Sequence, residues 1–327
     1  MSVIVTVFNE QKAVAKKIDN FLTNGYPGNS EMIVVSDGST DNTVEIISQF
    51  EGPRIRLIEN RTRRGKDPTL EDAVRDSTGE ILLFTDVGAI FADDALEKLV
   101  RPFSDPNLGL VTGVARYLGA ESAGLYRRHE DWLKSLEARV GVLSGALGPM
   151  FAIRRSSWRR KELALFNDFT DPIVVALEGK SATVATEAVC YQNRAGDGHW
   201  ARQVRNVACA APVLSHYLPK LIAAWRWNAV FVLVSHKLLR WLTLPLLAVM
   251  TVASWRLRDA GRAYALTLAL EAAFLMIALA GLFADKAGFG RRLRVAYDFL
   301  VMSLAWSVGL VRWMTGRVPV VWQPRGL

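Results

Sequence analysis

Ile81-Leu82-Leu83-Phe84-Thr85-Asp86-Val87-Gly88 is an apolar run that ends abruptly in a lone carboxylate followed by glycine. An unbroken apolar run of this length, bounded by turn signals, reads as a strand buried on both faces. In open α/β sheets, ligands bind just beyond the carboxyl ends of such strands. Two earlier runs end the same way. Ser2-Val3-Ile4-Val5-Thr6-Val7 leads into Phe8-Asn9-Glu10, and Met32-Ile33-Val34-Val35 leads into Ser36-Asp37-Gly38-Ser39-Thr40-Asp41. Three buried strands are therefore expected to deliver Glu10, Asp37 and Asp86 to one rim of a sheet.

Around these runs, helical and extended patterns alternate up to about Gly196, which predicts an α/β sheet domain. Helices are expected from Glu10 to about Thr23, after a cap at Thr40-Asp41-Asn42-Thr43, from Thr69 to Ser77, and from Gly124 to Val142. In the last of these Leu125, Trp132, Leu133, Leu136 and Val140 recur at roughly helical spacing, so one face should be buried against the sheet. Beyond Pro219 the composition shifts. Ala201 to Trp227 reads as amphipathic helices at a membrane surface. Three segments then approach spanning length: about Val230 to Trp255, Ala263 to Ala284, and Val295 to Met314. His236, Lys237 and Arg240 near the start of the first put that start along the interface. Glu271 and Asp298 lie inside the other two, where a charge is expected to pair between helices or sit near the interface. The expected organisation is 1–200 sheet domain, 201–228 interface helices, 229–316 spanning region of about three helices, and 317–327 tail.

Charge follows the same division. Of the 40 basic and 32 acidic residues, 13 basic and 4 acidic lie from Arg226 onward, leaving 27 against 28 before it. A nucleic-acid binder carries its basic stripe on the folded domain. Here the surplus flanks apolar segments, as in a protein seated at an anionic membrane surface. Cys190 and Cys209 are too few for a disulfide framework or a zinc site and suit a reducing compartment. No signal-peptide pattern precedes the first strand, so the sheet domain is expected to face the cytoplasm.

Taken together, the motifs resemble membrane-bound glycosyltransferases of family 2, whose catalytic domain has the GT-A fold, a Rossmann-like nucleotide-sugar architecture. The resemblance rests on Val5-Thr6-Val7-Phe8-Asn9-Glu10, Val35-Ser36-Asp37-Gly38-Ser39-Thr40-Asp41, Gly65-Lys66, Phe84-Thr85-Asp86-Val87-Gly88, Gly145 to Arg155, Asn167-Asp168-Phe169, and Ser235 to Trp241. Each is weak alone; their order and spacing carry the signal. The resemblance implies transfer of a sugar from a nucleoside diphosphate donor, a UDP-sugar, to an acceptor hydroxyl with inversion at the anomeric carbon. The acceptor it implies is a polysaccharide or a lipid-linked sugar. It also implies a location in the inner (plasma) membrane of a bacterium, multi-pass, with no role for nucleic acid and with export or assembly subunits undefined.

Residue by residue, Glu10 and Asp37 match positions that hold the donor's base and ribose, since carboxylates accept from an imide N–H or a ribose hydroxyl. Glu10 also reads as a helix N-terminal charge favoured by the macrodipole. Lys66 would neutralise phosphate, beside a Gly65 that admits close approach. Asp86 matches the first acid of the Asp-x-Asp motif that holds a divalent metal, Mg2+ or Mn2+, on the donor diphosphate; Gly88 replaces the second acid. His199, in Gly196-Asp197-Gly198-His199-Trp200, is a second candidate metal ligand or simply a loop histidine. Asp168 matches the general base, which must reach the acceptor hydroxyl opposite the leaving diphosphate. Its alternative is a helix cap, with Asp171 as the nearby rival. Gly145 and Gly148 belong to the acceptor-side segment, with His129, Glu130 and Trp132 on the adjacent helix as further contacts. Arg202 and Arg205 occupy the place of a Gln-x-x-Arg-Trp motif whose tryptophan is Asn206 here, which favours single transfer over processive synthesis. From another class, a donor-binding scaffold subunit that has lost turnover with the second acid is the rival. A transporter using Glu271 and Asp298 has little to support it, because three spans show no repeat.

Overall fold

The computed structural model describes residues 1–118, 125–161, 163, 167–193, 199–284 and 288–318, and the side chains at 125–128, 199, 288, 289 and 291 lie outside that description. Its described residues fall into two compact units. The first contains residues 1–193 together with 213–233, and the second contains 199–212 with 234–318.

The first unit is built on an eight-stranded mixed sheet: β1 (Ser2–Val7), β2 (Glu31–Asp37), β3 (Ile55–Asn60), β4 (Ile81–Thr85), β5 (Ile90–Phe91), β6 (Leu108–Leu118), β7 (Phe151–Arg154) and β8 (Ser181–Asn193). Spatial order is β3-β2-β1-β4-β7-β6-β8-β5. β3, β2, β1 and β4 run parallel, with β1 between β2 and β4. The three strands that lead to Glu10, Asp37 and Asp86 thus point one way, which puts those residues at one rim as their sequence pattern predicts, and they are also immediate neighbours. β7 then joins β4 antiparallel.

Period-two alternation fills both faces of the sheet. Val3, Val5 and Val7 pack one way, with Val14, Ile18 and Phe21 of α1 (Val14–Thr23) and Ile47 of α2 (Thr43–Ser48). Ile4, Leu82 and Phe84 pack the other way, with Leu70, Ala73 and Val74 of α3 (Lys66–Asp76). α4 (Ala95–Val100), α5 (Leu125–Arg139) and α6 (Asn167–Leu177) complete the layers.

Helix ends differ from expectation for identifiable reasons. α1 starts at Val14 rather than Glu10, because Asn9 adopts φ 55 and the Glu10 carbonyl is taken by the N–H groups of Ala13 and Val14. α3 starts at Lys66 rather than Thr69: Gly65, at φ 93, turns the chain into the helix, and Pro68 sits in its first turn, where a missing N–H costs nothing. On α5 the expected apolar face is not the buried one. Trp132 is 56% exposed and Val140, past the helix end, is exposed as well; Leu133 and Leu136 are half-buried and Glu137 is buried. Glu137 accepts the Ser144 N–H at 3.0 Å, which turns the stripe through 133 and 137 inward and Trp132 about 100° away.

Residues 201–228, expected to be several amphipathic helices, lie mostly in one helix, α7 (His199–Ala223). The first apolar segment is broken. α8 (Trp227–Leu233) passes through a π turn at Val234–Leu238 into α9 (Leu239–Trp241), and α10 (Thr243–Arg256) departs at 66°. Pro245 accounts for the break, since its ring clashes with the carbonyl four residues back, that of Trp241. In the second unit α11 (Arg262–Phe283) is long and apolar enough to cross a membrane, as is Arg292–Met314 of α12 (Gly288–Met314), giving two candidate spans among the described residues, or three if the bent pair is one. Glu271 accepts from Thr251 Oγ1 on the neighbouring α10 at 2.8 Å, and Asp298 pairs with Arg294 one turn away, 3.9 Å.

Candidate active site

The rim at the carboxyl ends of β1, β2 and β4 is held together by loops that bond to one another. Asn9 tolerates its left-handed backbone as asparagine can, and its side chain bridges to the β2 loop. Oδ1 accepts the Thr40 N–H at 2.8 Å and Nδ2 donates to Thr40 Oγ1 at 3.3 Å. The Glu10 N–H donates to Thr43 Oγ1 at 2.8 Å. Glu10 therefore sits where two strand-end loops are sewn together. Nothing in the β-strand pattern marks Asn9; only its tolerance of φ above zero could have.

Asp37 is buried and organises the next loop. Its Oδ1 accepts the Arg64 N–H (2.8 Å) and Thr69 Oγ1 (3.1 Å), and its Oδ2 accepts the Gly65 N–H (2.9 Å). Three donors from its own chain leave this carboxylate about one lone-pair direction for a ligand. The arginines of that loop are not a uniformly solvated run. Arg64 pairs with Asp72 at 2.6 Å, and Arg63 stacks 3.9 Å over Phe8 at the end of β1. Arg63 Nε and Nη2 are buried without a hydrogen-bond partner.

Lys66, the first residue of α3, donates from Nζ to Asp86 Oδ1 at 3.0 Å. Burial opposes its charge, but Asp86, Asp168 and Asp67 more than offset this and hold it above the ordinary lysine value. Asp168, in the first turn of α6, is pushed up by burial, with Asp86 and Asp67 adding and Lys66 opposing. One lysine therefore lies in the field of both carboxylates, one from a strand end and one from a helix start more than eighty residues later in the chain.

The acceptor-side segment reaches the same place. The Ala146 N–H, next to Gly145, donates to the Asp168 carbonyl at 2.7 Å. A Cβ on Gly148 would stand 2.8 Å from Asp168 Oδ2. The glycine is what leaves room for the carboxylate. Thr112 Oγ1 accepts the Leu147 N–H at 2.8 Å and Thr85 Oγ1 donates to the Pro149 carbonyl at 2.7 Å, so this turn is tied to β6 and to the end of β4. Lys134 on α5, not considered from sequence, is a further cation in the field of Asp168: burial lowers its pKa, and Glu137, Glu130, Asp168 and Asp131 oppose the shift. Its spacing from Glu130 and Glu137, one helical turn on either side, is the signal that marks it.

Asp171 does not share the exposure expected of a base. It is 2% exposed, with Oδ1 3.1 Å from the Nζ of a 6% exposed Lys161 and Oδ2 without a hydrogen-bond partner. Burial pushes its carboxyl from 3.8 up to about 6 against the pull of Lys161, with Asp67 and Asp168 adding. A carboxyl raised in the folded state weakens folding progressively as pH rises from about 4 to about 6, and the penalty stays constant above that. In the double variant Lys161→Met/Asp171→Leu the melting temperature relative to wild type should therefore rise across that window. Lys161→Met alone should cost roughly 3–5 kcal/mol at neutral pH by stranding the acid. A pH-independent difference between the double variant and wild type would refute the shift.

Other expected residues lie elsewhere or outside the description. Arg202 and Arg205 are on α7 in the second unit, where Gln203 between them accepts from Trp306 Nε1 at 3.2 Å. The His199 side chain, the loop 194–198 and the tail beyond 318 lie outside the described residues. A cavity of about 1050 Å3 opens at the opposite, amino-terminal rim of the sheet, lined by Glu31, Arg54, Glu80 and Arg154 among others, away from these groups.

The model of the family described as "Glycosyl transferase family 2" matches residues 2–165, half of the chain. The chain belongs to glycosyl transferase family 2. The match covers β1 through β7 and ends just short of Asp168. Among relatives, the family member is 30% identical over 118 residues to a poly-beta-1,6-N-acetyl-D-glucosamine synthase of Staphylococcus epidermidis, covering 36% of this chain and 28% of that one. It is 29% identical over 168 residues to an N-acetylglucosaminyltransferase of Bradyrhizobium diazoefficiens, covering 48% and 35%. The chain thus spans about a quarter to a third of the length of these curated relatives. In fold, it superposes on a mannosyltransferase of Pyrobaculum calidifontis solved with GDP-mannose and Mn2+, with TM-score 0.71 and 23% identity, over 97% of this chain and 87% of that one. The GT-A α/β architecture followed by C-terminal helices, expected from the motifs, is the fold observed.

Proposed function

We propose that this glycosyl transferase family 2 protein is an inverting transferase that moves a sugar, N-acetylglucosamine in the first instance, from a UDP donor to a polysaccharide or lipid-linked acceptor hydroxyl. The observation that carries the reading is Lys66 bonded to Asp86 and in the field of Asp168, because it couples a phosphate-neutralising cation to a carboxylate that lies against the Gly148 turn. The names of the relatives, a poly-beta-1,6-N-acetyl-D-glucosamine synthase and an N-acetylglucosaminyltransferase, support that choice of sugar.

In this reading the acceptor oxygen forms its bond to the anomeric carbon as the bond from that carbon to the diphosphate oxygen breaks. The hydroxyl proton passes to the Asp168 carboxylate, whose raised basicity suits that task, and the electron pair leaves with the diphosphate. Lys66 stabilises the charge that develops there. Asp37 sets the loop that presents Lys66, while Phe8 and Arg63 line the base end. Arg202 and Arg205 are assigned to the acceptor or the membrane surface, and His199 to the metal.

A divalent cation fits the residues present. Mg2+ and Mn2+ usually take one or two protein carboxylates and fill the remaining positions with phosphate and water, and the Asp86 side chain is 38% exposed at the strand end. Among the described residues no cluster of three acidic, His or Cys groups forms a ready cage, so Asp86 would hold the ion together with the donor itself. When bound, such an ion neutralises the leaving diphosphate. The candidate spans and the basic surplus of the C-terminal third support a multi-pass membrane protein, and in this reading the membrane is a bacterial plasma membrane with the sheet unit on its cytoplasmic side. Release of nucleoside diphosphate by the purified chain across a panel of nucleotide sugars, with and without Mn2+, tests the reading. UDP release from UDP-N-acetylglucosamine is the expected result, and no release from any donor would sink it.

A further inference from the structure

Lys17 stands outside the machinery described so far. It lies on the inward face of α1 with Val14, Ile18 and Phe21, and is 1% exposed. Burying an ammonium among neutral partners is costly, and a methionine would fill the same space without that cost. Its contacts show what the charge is for. Nζ donates to Thr85 Oγ1 at 3.0 Å and to the Ala89 carbonyl at 2.5 Å, and lies 3.4 Å from the centre of the Phe91 ring. Thr85 and Ala89 bracket Asp86-Val87-Gly88, so a single buried cation closes that loop from beneath. Thr85 Oγ1 relays the contact to the Pro149 carbonyl, next to Gly148 and the base. Burial pushes Lys17 down to about 7, while Cys190 on β8 and Asp86 on the loop oppose the shift.

The loop has reason to need a clamp. Gly88 has nothing within 4 Å of where a Cβ would be, and a glycine in open space leaves its segment conformationally free. The side chain that would carry a second acid is absent, so the loop's geometry is set from below rather than by its own ligands.

We infer that Lys17 is a positioning residue for the transfer, holding the Asp86 loop and, through Thr85, the Gly148 turn in the arrangement that receives the donor diphosphate. This rests on the reading of the rim as a nucleotide-sugar site. The test uses the full chain in detergent, measuring calorimetric binding of UDP-N-acetylglucosamine with Mn2+ and the kinetics of UDP release. Lys17→Met is expected to weaken donor binding about tenfold, as loss of one charge-assisted anchor does, raising donor KM in step while kcat changes little. Thr85→Val keeps the lysine and the volume, removes one anchor, and is expected to raise donor KM by less. A folded Lys17→Met chain with wild-type donor affinity overturns the inference, as does a loss confined to kcat. If Lys17→Met does not fold, Thr85→Val decides, and an unchanged donor KM there overturns it. Asp86→Ala separates the two levels. If it too binds donor normally, the rim reading has failed and the inference with it; if it binds weakly while Lys17→Met binds normally, only the role of Lys17 fails.

Discussion

Asp168→Asn is expected to lower transfer by about 10²–10⁴-fold, the usual worth of a positioned general base, while leaving donor binding and folding intact. The amide has the shape of the acid but cannot take the acceptor proton. Stability should not suffer. Burial holds the Asp168 carboxyl above its ordinary value, so the ionised acid is a burden on the folded state that the neutral amide lifts. The same raised pKa predicts that wild-type kcat/KM falls with decreasing pH at a higher pH than an ordinary aspartate would give, since only the ionised form is a base. Gly148→Ala should reproduce part of the loss. Its methyl would stand 2.8 Å from Asp168 Oδ2 and must displace the carboxylate, and a misplacement of about 1 Å can cost on the order of 10²-fold. Initial rates of UDP release in the presence of acceptor, set against donor affinity by calorimetry, check both variants. Full activity in Asp168→Asn would remove it from the mechanism and return attention to Asp171.

Asp86→Ala is expected to abolish stimulation by Mn2+ or Mg2+, lowering metal-dependent UDP release by about a hundredfold or more. A bound metal contributes several kcal/mol to a developing charge, and each 1.4 kcal/mol is tenfold in rate. The side chain is part-exposed at the strand end and bonds Lys66, so the substitution should leave the sheet intact. Residual, metal-independent release is expected from Lys66, which remains beside the diphosphate. A metal titration of UDP release in wild type and variant decides the matter. Undiminished metal stimulation in Asp86→Ala would show that the ion is held elsewhere.

Much of the site was legible in the chain because strand ends are. An apolar run must be buried, a parallel strand must be covered on both faces, and whatever polar residue follows must emerge at the rim. That reasoning places Glu10, Asp37 and Asp86 at one rim, and the structure adds that β2, β1 and β4 are neighbours there. The part that failed was local sidedness. On α5 hydrophobic spacing predicts that the apolar residues face inward, whereas the Ser144 N–H takes the Glu137 carboxylate as its acceptor, which draws Glu137 in and leaves Trp132 exposed. A backbone donor's need for an acceptor across a turn is not written in hydrophobic periodicity. The bend at Leu242 was likewise invisible to a hydropathy window, although Pro245 signals it to a reading that asks where each carbonyl goes.

By itself, then, the sequence determined the parallel half of the sheet, the family, and the identity of the carboxylates at the rim, because burial periodicity and motif order are local properties of the chain. Tertiary structure alone decided how those groups are coupled. That Lys66 lies in the field of both Asp86 and Asp168, that Gly148 makes room for the Asp168 carboxylate, that Asp37 spends three bonds on its own loop, and that Lys17 bonds both ends of the Asp86 loop all depend on the nearness of residues 20 to 102 positions apart. Electrostatic coupling and steric room are set by distance in space, and no pattern along the chain encodes that distance.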